Sequence, residues 1–340
     1  MRTIRVPRRL LLSAAIASAS VLVLAGCAKS GEKTAAETLS AVPVAATAAI
    51  KPAANCKDGL PPVASLAPGN ITTDPSTITK SLTLDNIRKN GRLTVGTSGD
   101  VLLWGARNPD NGNLEGYDIQ VLGEVAKALG VPISYKVINY AQRLTALQNR
   151  SVDLVAHTMT INCDRWQGTG KAPNAINFSS EYYAAGQKVL VRADDLKRYR
   201  RIQDLKGQKV CVPAASTNVD QVQGLGLNLV ELDVIGDCLV KFQEGEVAAI
   251  TGDDTVLAGF AAQDSYAEVV GEAFSSEPYG LGINVGDPQF TRFVNAVLER
   301  MRSDGTLTRI YNATMGIAIP GAPTPPKAMY GRETANLDRK

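Results

Sequence analysis

The sequence has few of the residues that hold metals or bind nucleic acids. His157 is its only histidine, and its five cysteines include no C-x-x-C pair, so the usual zinc-ligand spacings are missing. The formal net charge is only +3, and no basic stripe is interleaved with aromatic residues. Surfaces that bind nucleic acid carry a concentrated positive charge. We therefore expect no metal, no other cofactor and no nucleic acid partner.

The apolar stretch near the amino end is too short to cross a membrane comfortably as part of the mature protein. It runs from residue 10 to residue 24, follows an arginine-rich start and ends in Leu24-Ala25-Gly26-Cys27. This ending resembles the bacterial lipobox, whose cysteine carries a lipid. An ordinary secretory signal that happens to contain a cysteine is the alternative. We predict a signal peptide over residues 1–26 and lipidation of Cys27, which would anchor the protein to the extracellular face of the cytoplasmic membrane of a Gram-positive bacterium.

Both ends of the chain contain few large apolar residues. Residues 27–84 are rich in Ala, Thr, Ser and Pro, so they are predicted to form a flexible stalk that buries too little surface to offset its conformational entropy. A helix over residues 34–50 is the alternative, which Pro43 opposes. Several prolines follow residue 319, so residues 320–340 are predicted to form an irregular tail.

Four cysteines remain once Cys27 is assigned to the lipid. They are Cys56, Cys163, Cys211 and Cys238. An even number of cysteines in an exported protein predicts disulfides. Four cysteines allow three connectivities, and the residues alone do not choose between them.

Strand-like and helix-like segments alternate in two series of similar size, which predicts two α/β lobes. In the first series, strands are predicted at residues 93–97, 131–137, 152–157 and 188–192, with helices at 119–129 and 142–148. In the second, strands are predicted at residues 209–212, 229–234, 248–251 and 268–270, with helices near 218–226, 237–244 and 254–263. A last helix is predicted to start at Asp287-Pro288 and can pack on either lobe.

A group of polar residues follows one of these predicted strands. The stretch TMTINCDR, residues 158–165, comes directly after the strand predicted at residues 152–157. In open α/β sheets, ligands bind at the carboxyl ends of the strands, where loops lead into helices. This stretch therefore predicts part of a ligand site.

Seven segments, in this order, make the chain resemble the amino-acid-binding subunits of ABC importers. The segments are LTVGTSG, LEGYDIQVLGEVAKALG, LTALQNRSVDLVAHTMTINCDR, INFSSEYYAAGQKVLV, IQDLKGQKVCVP, AAITGDDTVLAGF and EPYGLGIN. The similarity covers about residues 85–315. In appearance it is closest to actinobacterial glutamate- and glutamine-binding lipoproteins.

The resemblance implies the periplasmic-binding-protein-like type II fold. In that fold two α/β lobes are joined by two crossover strands and close on a ligand in the cleft between them. On this chain the crossings fall near residues 187–191 and 279–283. Lobe 1 would comprise residues 85–187 and 280–319, and lobe 2 residues 188–279. The resemblance also favours a Cys211–Cys238 bridge inside lobe 2, which leaves Cys56 to pair with Cys163 and to join the stalk to the mouth of the cleft.

A free amino acid is a zwitterion, so a binding site must provide partners for both of its charges. By resemblance, Arg165 holds the α-carboxylate, helped by Thr160 and by the loop that contains Ser216 and Thr217. The planar guanidinium offers two parallel donors to a carboxylate, which a lysine does not. A solvated loop arginine is the alternative interpretation of Arg165.

The resemblance assigns the α-ammonium to a carboxylate in the second series. Asp253 is aligned with the family's acidic residue, and Asp254 is then the cap of a helix that begins at Thr255. A register shift of one residue would exchange these two roles. The main-chain carbonyl of Thr158 is a further expected partner of the ammonium.

Arg143 is the residue expected to bind the side chain of the ligand and so to determine which amino acid is preferred. In relatives specific for acidic amino acids, an arginine at the corresponding place reaches the distal carboxylate, whereas an exposed arginine at a helix start is the alternative here. Two arginines against one aspartate would leave a positive excess in the cleft. Glutamate would neutralise this excess, so it is favoured, followed by aspartate, glutamine and asparagine.

Two features depart from the family pattern. Residues 168–174 form an extra segment, which is expected to lengthen the rim of the cleft near its mouth. The aromatic residues that sandwich the ligand in several relatives have no clear counterpart, although Trp104 could replace them.

The resemblance implies a monomeric lipoprotein that captures an amino acid and delivers it to an ABC permease. A sensor that signals through a membrane partner would use the same pocket and is the alternative. An enzyme on this fold would need a general acid or base in the cleft. His157 is expected to pack at a strand end, Glu181 matches non-catalytic residues, and no pair of nucleophile and base is found. We therefore predict that the protein is not an enzyme.

Overall fold

The computed structural model describes residues 53–170, 175–319 and 321–333. Across these segments it has the two predicted α/β lobes, each built on a five-stranded sheet. The helices are α1 Leu82–Asn90, α2 Tyr117–Leu129, α3 Gln142–Gln148, α4 Cys163–Gln167, α5 Thr217–Val222, α6 Ile235–Gln243, α7 Asp254–Gln263, α8 Pro288–Ser303 and α9 Thr306–Ala313. None of the helices in these segments is both long and apolar enough to traverse a bilayer.

All eight predicted strands are present in the predicted order, and the described residues contain nine further strands that were not predicted. The strands are β1 Ala64–Ser65, β2 Leu93–Thr97, β3 Asp100–Val101, β4 Gly105–Arg107, β5 Leu114–Glu115, β6 Ile133–Val137, β7 Leu154–Val155, β8 Ile176–Phe178, β9 Tyr183–Ala185, β10 Gln187–Arg192, β11 Lys209–Pro213, β12 Asn228–Leu232, β13 Ala249–Asp253, β14 Ala267–Val270, β15 Glu277–Tyr279, β16 Gly282–Asn284 and β17 Met329–Tyr330. The predicted strand at residues 152–157 is shorter than expected, because the chain turns at Thr158, whose φ is +42°.

The sheet of lobe 1 has the order β6-β2-β7-β16-β8. Strand β2 runs parallel to β6 and β7, whereas β16 runs antiparallel to β7 and β8. Since β16, α8 and α9 follow lobe 2 in the chain, lobe 1 is discontinuous. Helix α8 buries an apolar stripe that includes Phe290, Phe293 and Val297 in the same core as Leu93 and Val95. The last helices therefore pack on lobe 1.

The sheet of lobe 2 has the order β12-β11-β13-β10-β14. Its three neighbouring strands β12, β11 and β13 are parallel, and β10 runs antiparallel to β13 and β14. A disulfide between Cys211 in β11 and Cys238 in α6 lies wholly buried in this lobe. This is the pair that the family resemblance implies.

The two lobes are joined by a ribbon of two antiparallel strands, β9 and β15. Ala185 lies opposite Glu277, and Tyr183 lies opposite Tyr279. The crossings were expected at residues 187–191 and 279–283, but these residues mostly belong to the sheets of the lobes as β10 and β16. Their apolar runs suit buried sheet strands, and the crossing strands themselves are only three residues long. The resemblance therefore placed both crossings a few residues too late.

An aromatic cluster packs against this ribbon. Trp104 is fully buried and makes edge-to-face contacts with Tyr183 and Tyr279, with ring centroids 5.0 and 5.1 Å apart. Tyr117 completes the contact at 5.2 Å. Contacts of this kind add to the apolar burial of the rings. The cluster therefore gives the short ribbon a rigid support at the base of the cleft.

The described part of the predicted stalk is folded onto lobe 1, so this expectation was wrong for residues 53–84. Strand β1 pairs in parallel with β17, which lies in the predicted irregular tail. Cys56 forms a disulfide with Cys163 at the start of α4, and the side chain of Asn295 in α8 donates to Ser65 Oγ and to the Leu66 carbonyl. These partners are distant in the chain and make up for the low apolar content of the segment.

Arg332 holds the two chain ends together. Its guanidinium donates to the Ala64 carbonyl at 2.7 Å, forms an ion pair with Asp58 and lies 4.4 Å from the ring centre of Trp166. The tail is therefore ordered at β17 by contacts that its composition did not indicate. Outside the described residues lie the predicted signal peptide, Cys27, the first part of the stalk to residue 52, the last four residues of the extra segment at 171–174, Pro320 and the end of the tail after residue 333.

Candidate functional site

A cavity of about 350 Å³ lies between the lobes. Lobe 1 contributes Arg143 and Arg165 to its lining, and lobe 2 contributes Ala215, Ser216 and Thr217. The cavity lies beyond the carboxyl ends of β7 and β11, as expected for an open α/β sheet. Its volume is within the range that small-molecule sites occupy.

Arg165 is placed by the first turn of α4. Asn162 caps this helix, since its side-chain oxygen accepts the Arg165 N–H at 2.9 Å. The guanidinium is buried and donates to the Thr160 carbonyl at 2.6 Å. Burial, with the nearby charge of Arg143, lowers the pKa of Arg165 to about 9, so the group remains a cation at neutral pH. Because Arg165 also lines the cavity, its guanidinium can reach an anion that binds there.

Arg143 is buried beside Arg165 and is not an exposed arginine at a helix start. Its guanidinium lies 4.4 Å from the centre of the Tyr140 ring and donates to the carbonyls of Tyr140 at 3.1 Å, His157 at 3.2 Å and Ala215 at 3.2 Å. Ala215 belongs to lobe 2, so this side chain spans the cleft. Burial lowers the pKa of Arg143. Within the described part of the chain, none of its hydrogen bonds is made to a carboxylate.

Asp253 lies at the end of β13, buried and bound by two donors. Its carboxylate accepts from the Asn218 amide at 2.7 Å and from the Tyr279 hydroxyl at 2.5 Å. Burial, followed by the charge of Glu277, raises the pKa of Asp253 to about 7. A carboxylate in this state gains from a cation placed beside it.

Asp254 does not act as the predicted helix cap. Helix α7 begins at Asp254 itself, and Asp253 is the preceding residue in an extended conformation. The Asp254 side chain instead accepts the Gly186 N–H, at 3.3 Å, next to the ribbon between the lobes. Its contact is therefore with the crossing strand, and Asp253 is the carboxylate nearer the other site residues.

Thr158 is held in a strained backbone conformation by a residue that the sequence reasoning missed. Its N–H donates to the buried Asp118 carboxylate at 3.0 Å, and the same carboxylate accepts from the Tyr182 hydroxyl at 2.6 Å. Burial raises the pKa of Asp118 to about 6. Asp118 lies in the quoted segment LEGYDIQ at the start of α2, but only the fold brings it beneath the loop of Thr158.

Thr160 and Thr217 meet across the cleft, with their hydroxyl oxygens 3.2 Å apart. A second missed residue, Glu277, lies between the lobes in β15. One of its carboxylate oxygens accepts from both hydroxyls, each at 2.7 Å, and the other accepts from Ser275 at 2.6 Å. Ser216 lines the cavity, but its hydroxyl donates to the Pro213 carbonyl at 2.6 Å.

Arg143, Arg165, Ser216 and Thr217 line the cavity, whereas Thr158, Thr160, Asp253, Asp254, Glu277, His157 and Trp104 are not part of its lining. His157 is buried, and its Nε2 lies 3.1 Å from the Ile138 carbonyl. Burial lowers the pKa of His157 to about 3, so its imidazole is neutral at physiological pH. Trp104 belongs to the aromatic cluster at the ribbon, so it does not replace the missing ligand-facing aromatics. Over the described ranges, no cluster of three or more potential ligands for a metal ion occurs.

Comparisons with known proteins agree with this architecture. Residues 93–316 match the family of bacterial extracellular solute-binding proteins, family 3. The chain is 34% identical over 244 residues to the glutamate-binding protein GluB of Corynebacterium glutamicum, a match that covers 67% of this chain and 80% of the relative. It is 29% identical over 238 residues to the glutamine-binding protein GlnH of an ABC transporter of Bacillus subtilis, covering 68% of this chain and 84% of the relative.

Solved structures show the same fold. An ancestral arginine-binding protein bound to glutamine superposes with a TM-score of 0.61 at 32% identity, covering 66% of this chain and 98% of that structure. These findings confirm the predicted type II fold of two α/β lobes around a cleft. With the family match over most of the folded residues, the chain belongs to the bacterial extracellular solute-binding proteins, family 3.

Proposed function

We propose that this protein captures an acidic amino acid, with glutamate preferred over aspartate, glutamine and asparagine, and delivers it to an ABC permease. Arg165 binds the α-carboxylate of the ligand, and Asp253 lies on the side of the α-ammonium. The carbonyl of Thr158 and the oxygens of Thr160 and Thr217 complete the polar surface around the backbone of the ligand. Ser216 and Asp254 support the neighbouring loops.

The observation that carries the proposal is the environment of Arg143. This guanidinium is buried, lines the same cavity as Arg165 and has main-chain carbonyls and an aromatic ring as its partners. A buried cation without an anionic partner is costly, and a carboxylate that reaches it forms strong charge-assisted hydrogen bonds. The distal carboxylate of glutamate supplies such a group, and the amide of glutamine does so only in part.

Glu277 adds a second carboxylate to the count of two arginines and one aspartate from which the preference for glutamate was predicted. Two buried carboxylates, Asp253 and Glu277, and not the single aspartate that the sequence suggested, lie near enough to the two guanidiniums for their charges to act on both arginines. However, burial and the charge of Glu277 raise the pKa of Asp253 to about 7, which reduces the negative charge that this carboxylate contributes near neutral pH. A partial positive excess therefore remains. The local position of Arg143 supports the acidic preference more strongly than the total charge does.

The relatives support the class of ligand. A 34% identical relative is described as glutamate-binding and a 29% identical one as glutamine-binding, so both a charged and a neutral side chain occur among similar proteins. We further propose that the protein acts as a monomeric binding protein without catalytic activity. Lipidation of Cys27 would keep it at the extracellular face of the membrane, close to its permease.

The proposal is tested by calorimetric titration of the full-length protein, purified in detergent, with each of the common amino acids. We expect glutamate to bind most tightly, with a dissociation constant near the micromolar range that corresponds to about 8 kcal/mol. Binding of glutamine more tightly than glutamate would refute the acidic preference. Failure to bind any amino acid would refute the proposed function as a whole.

A further inference from the structure

Glu277 is the residue of the cleft whose role neither the sequence pattern nor the family match assigns. It is fully buried in β15, one of the two strands that join the lobes. Its carboxylate contacts a hydroxyl from lobe 1, Thr160, and a hydroxyl from lobe 2, Thr217, through the same oxygen. This single side chain therefore connects both lobes to the ribbon at the base of the cleft.

The directions of these hydrogen bonds restrict what the two threonines can do. A hydroxyl has one proton to donate and two lone pairs that accept. A carboxylate accepts hydrogen bonds, so each threonine donates its only proton to Glu277. While these bonds exist, neither hydroxyl can donate to a ligand carboxylate. Only the lone pairs of Thr160 and Thr217 remain for a ligand.

The charge at this place agrees with the hydrogen-bond directions. The carboxylate of Glu277 is near enough to Asp253 to contribute to the raised pKa of that residue. Glu277 and the two hydroxyl oxygens therefore lie together between the lobes, where Thr217 lines the cavity and the charge of Glu277 acts on Asp253. Such an environment attracts a group that carries positive charge and several N–H donors, as an ammonium does.

We infer that Glu277 is a positioning residue that makes the protein selective for ligands with an α-ammonium, because it turns the Thr160 and Thr217 hydroxyls into acceptors. The inference rests on the proposed function and alters it in one respect. Thr160 was expected to help hold the α-carboxylate, whereas its hydroxyl donates its proton to Glu277 and has only lone pairs left, which suit the ammonium. Arg165 then holds the α-carboxylate without these two hydroxyls.

The test compares L-glutamate with glutarate, which has both carboxylates but lacks the ammonium. The ratio of their dissociation constants measures how strongly the protein recognises the ammonium. In the full-length protein with Glu277→Gln, we expect this ratio to fall by about tenfold, because the side chain keeps its shape but loses its charge. A merely structural role would weaken both ligands equally and leave the ratio unchanged.

Two further variants serve as controls for this test. Glu272→Gln removes the same charge from an exposed position five residues earlier in the same segment, and we expect it to leave the ratio unchanged. Thr160→Val, which keeps the branched shape of the side chain but removes the accepting oxygen, should lower the ratio even if Glu277→Gln folds poorly. Thermal melting curves identify any variant that fails to fold.

The outcomes separate the inference from the proposed function. A lower ratio in both Glu277→Gln and Thr160→Val supports the inference. An unchanged ratio in these folded variants overturns it, while the proposed function still stands if the unmodified protein binds glutamate. If the unmodified protein binds glutamate and glutarate equally, the inference is also overturned. If it binds no amino acid, the proposed function fails as well.

Discussion

Removal of the Arg143 guanidinium should reduce the preference for glutamate over glutamine. Within the described residues its four hydrogen bonds all go to main-chain carbonyls, at 3.1 to 3.5 Å, and one of these reaches Ala215 in the other lobe. Loss of the bond to Ala215 affects closure of the cleft around any ligand, so Arg143→Ala should weaken both amino acids. The contribution that distinguishes the two ligands is the bond to the distal group of the ligand.

The size of this effect follows from the number of hydrogen bonds that each ligand accepts. A hydrogen bond that involves a charged group contributes about 1.5–3 kcal/mol. The carboxylate of glutamate can accept two parallel bonds from the guanidinium, whereas the single amide oxygen of glutamine accepts one and its NH₂ group accepts none. The difference of one bond, about 1.5 kcal/mol at the lower end of this range, is about a tenfold change in an equilibrium constant. We therefore expect Arg143→Ala to lower the ratio of glutamate affinity to glutamine affinity by about tenfold, beyond any loss that both ligands share.

The assay is isothermal titration of the full-length protein with each amino acid at low ionic strength. Arg150→Ala is the matched control, since Arg150 follows the same short helix but is exposed and contacts Asn284. Arg143→Met keeps much of the buried stem and tests whether lost packing accounts for the result. Equal losses of glutamate and glutamine affinity in both Arg143 variants would refute the assignment of this residue to the ligand side chain.

Three other predictions concern the carboxylate site, the ammonium site and the disulfides. Arg165→Ala should abolish measurable calorimetric binding of every amino acid, and retained binding of any of them would contradict its role. The pKa of Asp253 is about 7 in the folded protein and about 4 in the unfolded chain, so the folded protein favours the protonated form. Protonation of Asp253 therefore stabilises the fold at low pH, and this stabilisation is lost as the pH rises from about 4 to 7. Ionisation over the upper part of this window should strengthen glutamate binding, and Asp253→Asn should remove this rise in titrations between pH 5.5 and 8. Replacement of Cys56 and Cys163 by serine should lower the free energy of unfolding by about 2–4 kcal/mol in denaturant titrations, and no change would show that the folded amino-terminal segment does not depend on the bridge.

The predicted order of strands and helices agrees closely with the structure because it depends on local pattern. Helices α3 and α7 occupy the residues that were expected, since their apolar residues recur at helical spacing. The predicted boundaries of the strands were less accurate where the chain turns into the loop at Thr158. The strand before Thr158 ends early because the φ of +42° at this residue cannot continue a strand.

Composition was a poor guide to the ends of the chain. Residues 53–84 have few large side chains, and this predicted a stalk. In the structure, Ser65 and Leu66 are buried because α8 and the tail supply their partners. Low apolar content predicts disorder only when no distant segment compensates for it, and here a disulfide and β17 do so.

The sequence by itself determined the class of fold, the order of its elements and the placement of Arg165 after a strand of lobe 1. These features follow from hydrophobic periodicity and from short motifs, which act over a few residues. The tertiary structure alone decided the role of Glu277, which meets Thr160 and Thr217 from 117 and 60 residues away. It likewise decided the burial of Arg143 against lobe 2. Such contacts depend on how the two lobes cross and close, and no local pattern in the chain encodes that geometry.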